Sequence, residues 1–237
     1  MIVLVLGSAP NVVTARDWPR AAFDRIVAIN NAHQVRPDWD AAIFPHDFPA
    51  DRQPRPGPGQ RLVTEADFVP AQNAFGGFVY AGGTMAFTAA YWALHAYRPR
   101  VIAMMGCDMH YPPGRSHFYG QGTPDPLRPD ITLQSLEAKS ARLMLLAADH
   151  GCAMVNLSDG LSRLILPRAR PDDLRDCRPL APDPARTAAP RARERSLGYD
   201  CPSGRYWETP HRFDAAELAR LDALWLAAIP RPVARSA

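Results

Sequence analysis

The residues able to do chemistry in this chain gather at two glycine-marked turns, one asparagine pair and one loop rich in rings. Gly7-Ser8-Ala9-Pro10-Asn11 offers small residues, backbone N–H groups and the Ser8 hydroxyl to an approaching phosphate. Gly82-Gly83-Thr84 repeats that logic where a helical stretch opens, because glycine permits close backbone approach and first-turn N–H groups lack intrahelical partners. Thr84 can serve there as the helix cap or as a ligand contact. Asn30 and Asn31 both donate and accept, which suits a sugar hydroxyl or a base edge, or a turn in left-handed backbone.

Asp108 follows Gly106 at the end of an apolar run, where a carboxylate can bind a metal, orient a hydroxyl, act as a base or cap a turn. Beyond it, residues 111 to 130 are too rich in proline, glycine and rings for an idle linker and read as an active-site loop. Within that loop His117 is the candidate general base and His110 a second one. Tyr111, Ser116, Phe118 and Tyr119 supply hydroxyls and stacking surfaces. His46 and Asp47 can form another acid/base pair, while His33, His95 and His150 read as structural.

Buried strands must position these turns. Ile2 to Leu6, Arg25 to Ile29, Trp39 to Phe44 and Val101 to Met105 are short apolar runs that end in polar or glycine residues, with Arg61 to Thr64 and Cys152 to Ser158 as further strands. Helical spacing is expected from Thr84 to about Tyr97 and from Ile131 to His150. In the latter, Leu133, Leu136, Leu143 and Leu146 share one side, with Glu137, Arg142 and Asp149 elsewhere. Strands alternating with helices imply a parallel sheet whose ligands bind outside the carboxyl ends of the strands. From Pro167 to Pro210 proline and arginine dominate, so this stretch is expected to wrap the surface or stay partly disordered. Asp214 and Glu217 then open an amphipathic helix carrying Leu218, Leu221, Trp225 and Ile229.

Composition narrows the classes. The chain has 237 residues, 47% of them hydrophobic, which is enough for a core. Its formal charge of +3 rests almost wholly on arginine, Lys139 being the single lysine, and is too small to argue for nucleic acid. Cys107, Cys152, Cys177 and Cys201 show neither zinc-ligand spacing nor a disulfide framework. No basic segment precedes the short apolar run at Ile2, and no apolar span of about 18 residues occurs, so we expect a cytoplasmic protein without a transmembrane segment.

Taken in order, Val3 to Asn11, Ile29-Asn30-Asn31, Ala81-Gly82-Gly83-Thr84-Met85 and Ile102 to Tyr111 resemble the small bacterial sialyltransferases that use CMP-sialic acid. The same order is similar to their relatives, the 6-hydroxymethylpterin diphosphokinase-like domains. The likeness covers roughly residues 2 to 165. It implies that Gly7, Ser8, Asn30 or Asn31, Gly82, Gly83 and Thr84 hold the nucleotide, and that Tyr111 and Tyr119 stabilise the leaving phosphate. Two departures stand out. The first loop reads Ser-Ala-Pro-Asn in place of Gly-Pro-Ser, and the family's base histidine has no counterpart from Thr123 to Asp130, which leaves His117 to act if its loop folds back.

These readings converge on a Rossmann-like, open, mostly parallel α/β sheet flanked by helices. Residues 1–166 would form the nucleotide-binding domain and 167–237 an irregular extension ending in a helix. The expected function is a transferase using a nucleotide-activated, CMP-sugar-like donor and a small-molecule acceptor, with His117, Asp108, Tyr111 and Tyr119 as catalytic residues. An ATP-dependent pyrophosphokinase with Mg²⁺ on Asp108, helped by Asp47, is the alternative, and a non-catalytic nucleotide-binding scaffold the third. The terminal helix leaves a homo-oligomer open.

Overall fold

A computed structural model of the full chain describes residues 1–111, 114, 116–120, 122 and 127–230. Its centre is one six-stranded sheet in which every pairing is parallel: β1 (Ile2–Leu6), β2 (Arg25–Ile29), β3 (Ala41–Ile43), β4 (Arg61–Val63), β5 (Val101–Met105) and β6 (Ala153–Asn156). The spatial order is β4-β3-β2-β1-β5-β6, so the winding direction reverses between β1 and β5. In such a sheet the loops leaving the two central strands diverge and open a crevice at their carboxyl ends.

The strand sequences are apolar on both faces, and alternation sorts them. Val3, Val5, Val27, Ile29, Ile102 and Met104 face one core, built with α1 (Glu65–Asn73), α2 (Phe78–Ala81), α3 (Met85–Tyr97) and α4 (Leu136–Asp149). Ile2, Leu4, Leu6, Ile26, Ala28 and Met105 face the other, covered by short 3₁₀ segments at Pro10–Arg16 and Asn30–Gln34 and by Leu174. The helix expected from Ile131 divides into a 3₁₀ turn, Ile131–Leu133, and α4, because the Ser135 hydroxyl caps α4 by accepting the Ala138 N–H. α1, absent from the sequence reading, is held by a capping box between Thr64 and Asp67 and tolerates Pro70 in its interior.

The extension carries a regular element that its proline and arginine content concealed. Pro184–Leu197 forms α5, started by the Asp183 side chain and by Pro184 in the first turn, where a missing N–H costs nothing. With α6 (Ala215–Ala227) it covers the outer side of α4, and Tyr206, Phe213, Leu218, Leu221 and Trp225 join the same core as the sheet. This layer also buries Arg142, which the sequence sets apart from the leucine side of the helix. It donates to Glu194 Oε1 at 2.6 Å, to the Tyr91 hydroxyl at 2.8 Å and to the Phe75 carbonyl at 2.5 Å. Lys139 on the same helix pairs with buried Asp222 at 2.7 Å. No helix among the described residues is long and apolar enough to cross a membrane.

Candidate functional site

The crevice at the reversal point holds a cavity of about 120 Å³ between the loops that leave β1 and β5. Gly7 and Ser8 form one wall, Asn30 and the start of α3 another, and Tyr111, His117 and Tyr119 a third. Gly7 is required because a Cβ there would sit 2.3 Å from the Gly106 carbonyl oxygen, so only glycine lets the two loops touch. That contact also uses N–H groups expected to face a phosphate: Gly7 donates to the Met105 carbonyl at 2.8 Å and Ala9 to Gly106 at 2.9 Å. What remains for a ligand is Ser8, whose N–H and hydroxyl make no hydrogen bond among the described residues.

Asn30 adopts left-handed backbone (φ 50°), and its side-chain oxygen is buried without a partner. Such an acceptor is satisfied by a ligand N–H or O–H. Thr84 caps α3 as expected, accepting the Ala86 N–H at 3.1 Å, and it also lines the cavity.

The loop after β5, expected to be an active-site loop, folds back in its described residues; Thr123 lies outside them. The Phe118 N–H donates to the Ser8 carbonyl at 2.9 Å, and a tight turn links His117 to Gly120. This brings the His117 ring, 5% exposed as a residue, between Tyr111 and Tyr119, with centroids 5.7 and 5.0 Å away. Its Nδ1 is 2.8 Å from the Ser116 hydroxyl. Burial disfavours the imidazolium and pulls the His117 pKa below its ordinary value, so the ring is neutral at pH 7. In the tautomer whose Nδ1–H donates to Ser116, Nε2 carries the basic lone pair. Burial pushes the Cys107 thiol in the same wall upward, which keeps it protonated and unreactive.

A second cavity of about 760 Å³ adjoins the first, with Thr84 and Met85 in both linings. Gly83 lies here, as do His46 and Asp47 beyond the end of β3, whereas Phe44 is core. Its far wall comes from the extension through Ser203 to Trp207, which the sequence reading did not include in the site. A hydrogen-bond network closes the seam. The Tyr206 hydroxyl donates to Asp130 Oδ2 at 2.7 Å, the Thr132 hydroxyl to Asp130 Oδ1 at 2.6 Å, and Arg128 to both Asp130 and the Gly83 carbonyl at 2.9 Å. The Gly83 N–H is likewise engaged, donating to Thr132 Oγ1 at 2.9 Å. Burial raises the Tyr206 pKa to about 12, reinforced by its bond to Asp130. At Asp130 burial opposes the charge, but hydrogen bonds from Thr132 and Tyr206 and the Arg128 charge outweigh it and hold the carboxyl below its usual range.

Asp108, Gly82 and Asn31 line neither cavity, and neither do the second base candidate His110 or the loop residues Ser116 and Phe118. Asp108 is 3% exposed and turned inward, accepting from Ser158 Oγ at 2.6 Å, Asn11 Nδ2 at 3.0 Å and Asn156 Nδ2 at 3.1 Å. It ties the ends of β5 and β6 to the first loop and thereby supports the crevice instead of lining it. Gly82 (φ 90°) ends α2 with its α-carbon facing Lys139 and Phe87, and Asn31 is buried in the turn after β2. Among the described residues no three or more His, Cys, Asp or Glu side chains cluster as metal ligands.

No family model, curated protein or solved structure matches this chain. What the site can do must therefore be argued from its own residues.

Proposed function

We propose that the chain is a transferase that uses a nucleotide-activated donor, with glycosyl transfer as its reaction. The observation that carries this reading is the cavity at the sheet's reversal point and the larger one that adjoins it: the smaller holds Ser8, the unsatisfied Asn30 oxygen, a neutral histidine and two tyrosines, and the larger is of ligand size. The smaller volume suits part of a nucleotide, and the shared edge at Thr84 and Met85 lets a donor reach its acceptor. Donor phosphate would meet the Ser8 N–H and hydroxyl and the positive end of α3. Asn30 Oδ1 would accept from a base amino group or ribose hydroxyl. His117 would take the proton of the acceptor hydroxyl as its oxygen bonds to the anomeric carbon. The bond from that carbon to the phosphate oxygen breaks, and the nucleotide leaves with the electron pair while Tyr111 and Tyr119 donate hydrogen bonds to it.

The pyrophosphokinase alternative asks Asp108 to hold Mg²⁺. The residues present fit that ion poorly, since both Asp108 oxygens already accept from neutral donors beneath the crevice. Titration calorimetry with CMP, CDP, UDP, GDP and ATP, each with and without Mg²⁺, tests the reading. CMP binding that is indifferent to Mg²⁺ and is weakened by Ser8→Ala or Asn30→Ala supports it. Silence toward every nucleotide refutes it.

A further inference from the structure

The larger cavity has a chemistry of its own. One wall is a continuous run of rings: Phe68 meets Phe78 edge-on at 6.3 Å, Phe78 stacks on Tyr206 at 6.5 Å, and Tyr206 meets Trp207 at 5.4 Å. Trp207 ends this run with 55% of its surface exposed, on a 3₁₀ turn where nothing in the core demands an indole. On the floor, Thr88 is 1% exposed, lines the cavity, and its hydroxyl makes no hydrogen bond among the described residues. A hydroxyl that lines a ligand-sized cavity without a protein partner is available to a polar group of a bound molecule.

The charges select among molecules. Arg128 is neutralised by Asp130 at 2.9 Å, and Arg205 faces Glu208 at 3.4 Å. Glu65 pairs with His46, a neutral partner unless protonated, and Asp47 has no ion pair among the described residues. The uncompensated charge on the wall is therefore negative, from Asp47 and Glu65, and it stands beside rings whose faces attract cations.

We propose that this cavity binds a hydroxylated ring carrying a protonated amine: the apolar ring face on Trp207, a hydroxyl on Thr88, and the ammonium between the rings and Asp47. Calling that molecule the acceptor rests on the transferase reading; its binding does not, because the cavity is open without a donor.

Three monosaccharides of one ring size test this: glucosamine with its amine protonated, glucose and glucuronate, each titrated against the full chain with tryptophan fluorescence and calorimetry as readouts. Glucosamine should bind about three- to tenfold tighter than glucose, the worth of one cation–π contact or exposed ion pair, and glucuronate weaker than either. Added salt should narrow the gap. Asp47→Asn, at an exposed site without an ion pair, should erase the preference for glucosamine while leaving glucose affinity in place. Thr88→Val, close to isosteric, should weaken all three sugars. Glucuronate binding best would hand the site to Arg205 and overturn the proposal, as would no binding of any sugar or a preference untouched by Asp47→Asn. Nucleotide titrations on the same samples separate the outcomes: sugar binding without nucleotide binding defeats the transferase reading alone, and the reverse defeats this one alone.

Discussion

Gly83→Ala probes the seam between the sheet domain and the extension. A Cβ at Gly83 would lie 2.2 Å from the Tyr206 hydroxyl and 3.1 Å from its ring carbon Cζ, so the tyrosine must move. Moving it gives up the 2.7 Å bond to Asp130 and the 3.3 Å contact with Arg128. Loss of a hydrogen bond to a charged group costs about 1.5–3 kcal/mol. Overpacking adds about 1–3 kcal/mol, so the single substitution should cost about 2.5–6 kcal/mol. In a Tyr206→Phe background that bond is already gone and the tightest contact with it, leaving a ring edge at 3.1 Å and Thr132 Oγ1 at 3.2 Å, each of which need yield by only a few tenths of an ångström. There Gly83→Ala should cost under about 2 kcal/mol, a coupling of about 1.5–3 kcal/mol between the two positions. Urea denaturation of the four proteins, with m-values unchanged, measures the cycle. Equal costs of Gly83→Ala in both backgrounds would show that the Tyr206 hydroxyl does not cover Gly83, and the far wall of the larger cavity would have to be redrawn.

Three further outcomes follow from the same geometry. Asp108→Asn presents an amide N–H to donors at 2.6–3.1 Å and should lower stability by about 2–4 kcal/mol, while any Mg²⁺ effect on nucleotide binding stays as in the parent; loss of a metal-dependent component on titration would restore Asp108 as a ligand. His117 is held below its ordinary pKa, so kcat/KM should be flat at neutral pH and fall only below about 6.5, and an acid limb centred above that value would reject it as the base. The stability sign agrees: the unfolded chain binds more protons between the folded and unfolded pKa values, so His117 stabilises the fold less as pH falls through that window. Glu194→Gln leaves the buried Arg142 guanidinium without its carboxylate and should cost about 3–5 kcal/mol, exposing residues 167–210 to limited proteolysis; unchanged protection would mean that the extension is held by its apolar contacts alone.

Strand content and the polar or glycine residues at the strand ends were legible in the sequence because both are local. Runs such as Ile2–Leu6 and Val101–Met105 are apolar on both faces, and a glycine or asparagine must follow where backbone turns sharply or crowds its neighbour, as at Gly7 against Gly106. The helix caps at Thr84 and Asp214 were legible for the same reason, since a side chain two or three residues away supplies the bond. Position relative to the crevice was not. Asp108 and His117 both belong to polar stretches after β5, yet one turns down to Ser158 and Asn156 and the other is carried back toward Ser8 by the Phe118 N–H beside it, through partners that lie 48 to 110 residues apart in the chain. Nor could composition reveal that a proline- and arginine-rich tail would dock. Its Glu194 becomes the buried partner of Arg142 and Trp225, and its Tyr206 and Trp207 wall a cavity, only once α4 presents a second face to receive them. The sequence by itself determined which segments could form a parallel sheet and where its turns would leave polar groups. Tertiary packing decided which of those groups line the cavities, because the satisfaction of a buried polar atom depends on neighbours that only the folded chain brings within about 3 Å.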